Sequence, residues 1–272
     1  MVRRHRQYRY LLPNALTGMG MFLGLWAILL AIDGVGGAGG REALVIAAWW
    51  VIVASMTDGL DGKVARMTNT TSNFGVQFDS LADLTTFGIA PAAVLYGVIS
   101  PWDPAVATGV AATFAIAGAV RLARYNISAA QSAKKRAYQG LPIPAAAGLV
   151  MALVLCLPQV EALLGATITH RLIPIVGLIA AYLMISKIRF LGFRDLAFRS
   201  VETPVSVAMQ VLAFAAFIYW LFFLPQSVLA LLVFGGYAVY SVAAGAVWHL
   251  RLVRRPWERD EQDEPGEPEA RR

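Results

Sequence analysis

Residues 58–83 read DGLDGKVARMTNTTSNFGVQFDSLAD and hold four of the ten acidic residues that precede the C-terminal tail. Asp58 and Asp61 are three residues apart, and Asp79 and Asp83 are four apart. On α-helices both spacings place the two carboxylates of a pair on one face. Two helices joined by a short loop would therefore present all four carboxylates to one another.

Long apolar runs flank this stretch and set the chain apart from soluble domains. Of its 272 residues, 58% are hydrophobic and 15% are charged, whereas about 25% of the residues of a soluble domain are charged. The single cysteine excludes an internal disulfide and a thiolate metal site. We therefore predict an all-α fold, a polytopic membrane helix bundle in which lipid is the solvent.

About 20 mostly apolar residues are needed to cross a bilayer as a helix, and about eight stretches of the sequence approach that length. The second and the sixth are short, and the second reaches a full span if its helix continues through the polar run to Arg66. The predicted spans are Leu11–Ile32, Ala43–Thr57, Phe74–Ile99, Ala105–Tyr125, Pro144–Leu164, Leu172–Ile185, Pro204–Leu224 and Ser227–His249.

The basic residues are distributed unequally between the two predicted sides of the membrane. With eight spans, 21 of the 23 Lys and Arg residues fall on the side of the termini, and Arg41 and Arg171 fall on the other. Because cytoplasmic loops are enriched in Lys and Arg, we expect both termini and the aspartates at the cytoplasmic face of the cell (inner) membrane. The net charge of +6 therefore indicates membrane lipids as partners, and no nucleic acid.

The four aspartates lie at the predicted edge of the hydrocarbon, where uncompensated charge is unfavourable. A charged residue costs about 2.5–3.5 kcal/mol at the centre of a membrane helix. Lys63 and Arg66 could form a salt-bridge network with the acids, but two cations cannot neutralise four anions. A set of carboxylate oxygens suits Mg²⁺ or Mn²⁺, and two such ions can clamp a displacement at phosphorus.

The fixed positions of this stretch resemble the signature of a known family. The pattern is Asp58-x-x-Asp61-Gly62-x-x-Ala65-Arg66, then eight residues, then Gly75-x-x-x-Asp79-x-x-x-Asp83. It is similar at every fixed position to that of the CDP-alcohol phosphotransferases, a family of membrane enzymes. The resemblance implies a six-helix core in residues 11–190, preceded by a basic arm at 1–10. Two added spans would follow in 191–250, and a disordered charged tail at 251–272.

The resemblance implies a role for each matching position. Asp58, Asp61, Asp79 and Asp83 would ligate two divalent ions, Mg²⁺ or Mn²⁺, and Asp83 would also act as the catalytic general base. The start of the first span, Pro13-Asn14-Ala15-Leu16-Thr17, is similar to the Pro-Asn-x-x-Thr start of the family, whose polar residues lie near the nucleotide. Contacts with the nucleotide and its diphosphate are implied for Pro13, Asn14, Thr17, Asp61, Gly62, Ala65, Arg66 and Gly75.

Further stretches resemble the members of the family that use L-serine as the acceptor. They are DSLADLTTFGIAPA at 79–92, RLARYN at 121–126, GLPIPAAAG at 140–148 and, more weakly, MISKI at 184–188. The first span departs from relatives that use glycerol phosphate, because GMGM at 18–21 replaces the arginine that usually follows Thr17. The implied reaction transfers the phosphatidyl group of CDP-diacylglycerol to the serine hydroxyl and releases CMP.

Serine brings a carboxylate that inositol and choline lack, so its site needs a cation. Arg121 and Arg124 stand with Asn126 at the predicted cytoplasmic end of the fourth span, and Lys187 and Arg189 follow the sixth. We predict that these residues bind serine or the lipid phosphate. The alternative for the arginines is that their side chains only anchor the helix end at the interface.

Two other functions remain open at this point. The same chemistry could use another acceptor, such as inositol phosphate, glycerol phosphate or choline, or an ether-lipid donor. A cation transporter could use the aspartates as its ion site, but it would carry acids or broken helices in two corresponding halves of the chain. All four acids lie in one predicted helix pair, which favours the enzyme. The family resemblance also implies a homodimer.

Overall fold

The computed structural model describes residues 2–37, 39–67, 73–131 and 140–186, together with 235, 236 and 239. All regular structure in these residues is helical, which confirms the predicted all-α class. The seventh and eighth predicted spans lie almost wholly outside the described residues, and the charged tail lies entirely outside them.

Eight α-helices and one π-helical segment follow one another along the described chain. They are α1 (Val2–Val35), α2 (Gly40–Met67), α3 (Asn73–Asp83), the π-segment (Leu84–Ile89), α4 (Ala90–Ile99), α5 (Pro104–Gln131), α6 (Ile143–Leu155), α7 (Leu157–Leu164) and α8 (Ala166–Ile185).

Four helical stretches of the described residues are long and apolar enough to cross a membrane. They are Asn14–Val35, Phe74–Ile99, Pro104–Ser128 and Ala166–Ile185, and α6 with α7 makes a fifth if the bent pair is one span. Large apolar side chains such as Phe22, Ile116 and Tyr182 are 60–69% exposed on these helices. An apolar surface of this kind is typical of a protein whose helices face lipid.

The first helix begins earlier than the sequence predicts. A span was expected from Leu11, but α1 is continuous from Val2. Residues 2–12 contain neither glycine nor proline, so nothing in the basic arm interrupts a helix. Pro13 therefore lies inside α1 rather than in its first turn.

The second helix continues through the polar run, as predicted. α2 extends for 28 residues and ends at Met67, one residue after the arginine of the signature. Its apolar half packs along α1, and Ala47, Ala48 and Val51 are buried there. One continuous helix therefore carries both the buried apolar residues and the acidic residues of the signature-like stretch.

The helix of the fourth predicted span, α5, begins after a capping residue. Asp103 Oδ1 accepts hydrogen bonds from the backbone N–H groups of Ala105 and Val106, both at 3.0 Å. Such a cap satisfies donors that the first turn of a helix leaves without partners. The resulting helix, α5, continues to Gln131, six residues beyond the predicted end at Tyr125.

The fifth predicted span is broken in the structure. One helix was expected over Pro144–Leu164, but α6 ends at Leu155 and α7 turns away from it by 60°. Pro158 lies in the first turn of α7, where its missing N–H is tolerated, whereas in a continuous helix it would remove a hydrogen bond. The buried Cys156 stands at the bend.

The sixth predicted span is longer than the sequence suggests. It was expected over Leu172–Ile185, but α8 begins at Ala166 and has 20 residues. Gly165, with a φ of 81°, ends α7 and starts α8, because glycine adopts this left-handed conformation without strain.

Small side chains fill the interior between the helices. Fully buried alanines lie on four different helices and allow close approach of their backbones, and two phenylalanines, Phe87 and Phe114, fill the wider gaps. The alanines are Ala27, Ala47, Ala48, Ala146, Ala147 and Ala180. This core holds α1, α2, α5, α6, α8 and the π-segment together.

Candidate active site

Three of the four predicted aspartates meet where α2 and α3 come together. Asp58 lies on α2, and Asp79 and Asp83 lie on α3. One carboxylate oxygen from each lies within 4.8 Å of the other two, and all three side chains are half-buried. The carboxyl groups of Asp58 and Asp83 are within hydrogen-bonding reach of each other. Like charges this close require a proton or a cation between them.

The donor set fits a hard divalent cation. It consists of carboxylate oxygens alone, which Mg²⁺ and Mn²⁺ prefer, and three ligands converge from two helices. Asp61 lies on α2 one turn after Asp58, but its side chain is outside the described residues. The described part of the site thus offers three of the four expected ligands.

A small cavity of about 10 Å³ adjoins the carboxylates. Its volume matches one water-sized occupant. Asp58 and Asp83 line it on one side, and Thr17 from α1 lines it on another. Thr17 is only 8% exposed. The structure therefore places one of the predicted nucleotide-binding residues beside the aspartates, and residues Gly20, Ala54, Ala82, Thr86 and Phe87 complete the lining.

A π-helical segment follows Asp83 directly and locks α3 against α1. Thr86 is 2% exposed, and its hydroxyl donates to the backbone oxygen of Gly20 at 3.1 Å. A Cβ added to Gly24 would lie 2.6 Å from Thr86 Oγ1 and 2.7 Å from Thr86 Cα. Only glycine therefore allows α1 and the π-segment to approach this closely.

The π-segment also changes the rotational phase of the third span. An α-helix turns about 100° per residue, and a π-turn takes in one extra residue. Val94 and Leu95 of α4, which follow the π-segment, are completely buried. The third predicted span, Phe74–Ile99, is thus one apolar span in the structure, with the π-segment at Leu84–Ile89 inside it.

A second polar group lies at the end of α5. Asn126 Nδ2 donates to Ser80 Oγ at 2.9 Å, and Ser80 stands next to Asp79 on α3. Arg121, one and a half turns earlier on α5, is buried with 9% exposed surface. Arg124 Nη1 donates to the backbone oxygen of Ile185 at 2.7 Å, which joins α5 to the end of α8.

The structure therefore brings part of the predicted site together. Thr17, Asp58 and Asp83 share one cavity, Asp79 joins their cluster, and Asn126 reaches the neighbour of Asp79. Gly75 and Asn14 are half-buried on α3 and α1. The remaining predicted positions have side chains outside the described residues: Pro13, Asp61, Gly62, Ala65, Arg66, Lys187 and Arg189.

Sequence reasoning missed the residues that hold this cluster in place. They are Gly20, Gly24, Ser80 and Thr86. A signal was present, because Gly20-x-x-x-Gly24 is a spacing at which membrane helices pack closely. Thr85 and Thr86 are adjacent in an apolar span. Because a hydroxyl group within the membrane must be hydrogen-bonded by the protein itself, they also indicate a contact of this kind.

Comparison with known proteins identifies the family to which this constellation belongs. The family model described as CDP-alcohol phosphatidyltransferase matches residues 10–247. The chain belongs to the CDP-alcohol phosphatidyltransferase family. Members of this family depend in general on divalent metal ions, and the aspartates gathered between α2 and α3 could hold one. The match includes the described helices and continues through the region predicted to hold the last two spans.

Several curated relatives of this CDP-alcohol phosphatidyltransferase carry the same name, CDP-diacylglycerol–serine O-phosphatidyltransferase. The protein of Helicobacter pylori (strain ATCC 700392 / 26695) is 36% identical over 234 residues, which cover 86% of this chain and 90% of the relative. The protein of Bacillus subtilis (strain 168) is 33% identical over 58% of this chain and 81% of the relative. The protein of Methanocaldococcus jannaschii is 39% identical over a stretch that covers 41% of this chain and 52% of the relative.

Proposed function

We propose that this protein transfers the phosphatidyl group of CDP-diacylglycerol to the hydroxyl of L-serine, with release of CMP. The observation that carries the proposal is the meeting of Asp58, Asp79 and Asp83 within 4.8 Å in a member of this family. The choice of serine is supported by the relatives that are named for this reaction. Two of them, from Helicobacter pylori, match 86% of this chain.

The metal site of the proposal consists of all four aspartates. Asp58, Asp61, Asp79 and Asp83 would hold two divalent ions, Mg²⁺ or Mn²⁺. Bound ions of this kind supply positive charge to phosphate oxygens and to the CMP leaving group. The half-buried position of the carboxylates supports this assignment, because low local polarity strengthens a carboxylate–cation contact.

The nucleotide would bind along the faces of α1, α2 and α3 that surround the aspartates. Gly62, Ala65 and Gly75 have little or no side chain and would allow close approach of the nucleotide, and Arg66 offers a planar fork to phosphate oxygens. Pro13, Asn14 and Thr17 would contribute the side formed by α1, where the structure shows Thr17 lining the cavity of Asp58 and Asp83.

Asp83 is the proposed general base. It belongs to the cluster and also lines the cavity beside Thr17, so it could contact both a bound cation and an acceptor hydroxyl. A carboxylate in that position can take the proton of an acceptor hydroxyl as the oxygen attacks the β-phosphorus of CDP-diacylglycerol. The β-phosphorus–oxygen bond to CMP breaks in the same displacement.

The acceptor would bind between α5 and α3. Arg121 is the stronger candidate for the serine carboxylate, because it is buried on α5 near the Asn126–Ser80 contact. Arg124 already donates one hydrogen bond to Ile185, so its first role is to hold α5 against α8. Lys187 and Arg189, which follow α8 in the sequence, are kept as further candidates. The remaining donors of Arg124 could still reach a lipid phosphate.

The location and assembly of the enzyme are part of the same proposal. The aspartates would face the cytoplasm, where serine is available, and the lipid tails would enter from the side of the bundle. A homodimer in the cell (inner) membrane is the proposed assembly.

A panel of acceptors tests the proposal directly. The purified protein, supplied with CDP-diacylglycerol and Mg²⁺ or Mn²⁺, is expected to release CMP and form a labelled phospholipid with L-serine. Inositol phosphate, glycerol phosphate and choline serve as the competing acceptors. Product from one of these, and none from serine, would overturn the choice of acceptor and leave the reaction class intact.

A further inference from the structure

A cavity of about 340 Å³ lies at the end of the bundle opposite the aspartates. Gly40 lines it at the start of α2, and Asp58 lies 18 residues later, which is about 27 Å along the helix axis. This distance is close to the thickness of the hydrocarbon core of a bilayer, about 30 Å. The cavity and the aspartates therefore belong to opposite interfaces of the membrane.

The wall of the cavity is apolar and firmly packed. Leu44, Val98, Val154 and Leu157 contribute to it, and Leu44 is held from two sides because a Cβ on Gly34 or Gly97 would collide with it. The cavity is partly open, and its volume lies in the range of ligand pockets.

Polar side chains are confined to the rim. Arg41 Nη1 and Glu161 Oε2 form an ion pair at 3.0 Å, with 49% and 23% of their side chains exposed. The pair joins the start of α2 to α7, the short helix that bends 60° away from α6. Trp102 and His170 stack beside it with ring centroids 3.4 Å apart. The rim thus offers a positive and a negative group next to each other, above an apolar wall.

We infer that this cavity holds a zwitterionic phospholipid with a primary ammonium group, from the leaflet opposite the aspartates. Its phosphate accepts hydrogen bonds from Arg41, its ammonium group donates to Glu161, and one acyl chain lies along the apolar wall. The adjacent opposite charges of the rim match the adjacent opposite charges of such a headgroup. The inference does not depend on the proposed reaction.

Trp102 offers a direct readout of this occupant. The full-length protein is placed in phosphatidylcholine nanodiscs that contain an increasing fraction of phosphatidylethanolamine with brominated acyl chains, which quench tryptophan emission. The Trp102 signal is taken as the difference between the unmodified protein and the W102F variant. We expect it to be quenched at about tenfold lower lipid fraction than the other tryptophans, as a charge-assisted contact would give.

Charge variants separate lipid binding from a structural role of the ion pair. Glu161→Gln should abolish the preference for phosphatidylethanolamine over brominated phosphatidylglycerol, because the ammonium group loses its partner and the anion loses a repulsive neighbour. Arg41→Gln should weaken quenching by both lipids. The matched control is Arg171→Gln, which removes an exposed arginine one residue after His170 that does not line the cavity, and it should retain the preference.

Three results would overturn the inference. They are quenching of Trp102 in simple proportion to the lipid fraction, an unchanged headgroup preference in Glu161→Gln, and relief of quenching by inorganic phosphate. Failure of brominated lipid to reach Trp102 at all would show that another occupant, such as a segment of the chain itself, fills the space. Lipid retention in native mass spectrometry provides the same comparison without Trp102, should the W102F variant not fold.

Discussion

At the scale of single residues, the site depends on carboxylates whose individual contacts differ. Asp58 alone comes from α2, whereas Asp79 and Asp83 share α3, so Asp58 is the described ligand that connects the two helices. Its carboxyl group also reaches that of Asp83. Removing its charge therefore removes the link between the two halves of the cluster.

We predict that Asp58→Asn lowers CMP release by roughly 100-fold or more, because a bound cation contributes several kcal/mol to stabilising the transition state. Asp33→Asn is the matched control, since Asp33 is exposed near the end of α1 and the change in charge is identical. The rate of CMP release is measured at saturating metal, and size-exclusion chromatography checks folding. Near-normal turnover in Asp58→Asn would contradict the assigned role.

The two arginines of α5 should differ in their effect on serine. Arg121→Gln removes a buried cation, so we expect the serine KM to rise, or kcat/KM to fall, by about 10- to 150-fold, as for a charge-assisted hydrogen bond of about 1.5–3 kcal/mol. Arg124→Gln loses the bond to Ile185 and should mainly lower thermal stability. Steady-state kinetics in both substrates distinguishes the roles, and a rise confined to the KM for CDP-diacylglycerol would assign Arg121 to the lipid phosphate instead.

At the scale of elements, the π-segment is the feature that orients α3. Thr86 and Thr85 are neighbours with the same side chain but different partners. Thr86 donates across to Gly20 of α1, whereas Thr85 donates to Leu81 within its own helix. This difference allows the contact between helices to be tested against an internal control.

We predict that Thr86→Val lowers kcat roughly tenfold and weakens metal binding, so that more Mn²⁺ is needed for half-maximal activity. The reason is that the backbone oxygen of Gly20 loses a buried partner and α3 can rotate. Thr86→Ser should restore activity, and Thr85→Val should leave it unchanged. The measurement is CMP release as a function of Mn²⁺ concentration. Equal losses in Thr85→Val and Thr86→Val would show that the hydroxyl bond to α1 does not position the aspartates.

At the scale of the whole molecule, the bundle has two chemically different ends. One end gathers aspartates, and the other carries the Arg41–Glu161 pair above an apolar cavity. The described residues between α1 and α2, at 36, 37 and 39, belong to the second end. The orientation of the chain decides which compartment supplies the acceptor.

We predict that a cysteine placed at Gly37 is labelled by an impermeant thiol reagent from outside the cell, whereas a reporter fused after Arg272 is cytoplasmic. The reason is the segregation of 21 of the 23 basic residues to the side of the termini. Gly37 is exposed, although its positive φ of 84° makes a substitution there strained, so expression level is the control. The opposite labelling pattern would place the aspartates outside and contradict the cytoplasmic site.

The sequence alone determined the order of the helices and the meeting of three aspartates. Apolar length predicted helices in the right order over the described residues, of which four, or five with the bent pair, are long and apolar enough to cross a membrane. The spacing of the aspartates predicted a carboxylate cluster between the second and third stretches, and Asp58, Asp79 and Asp83 meet there. These features are local, because helical periodicity repeats every three to four residues and is written directly into neighbouring positions.

Only the tertiary structure decided how the elements meet. The Arg41–Glu161 pair joins residues 120 positions apart, and Arg124 finds its partner 61 positions away. The π-segment and the bend at Cys156 set the rotation of the helices that carry them. Such contacts depend on the packing of whole helices against one another, where a shift of one residue turns a face by about 100°, and no local pattern in the sequence records that rotation.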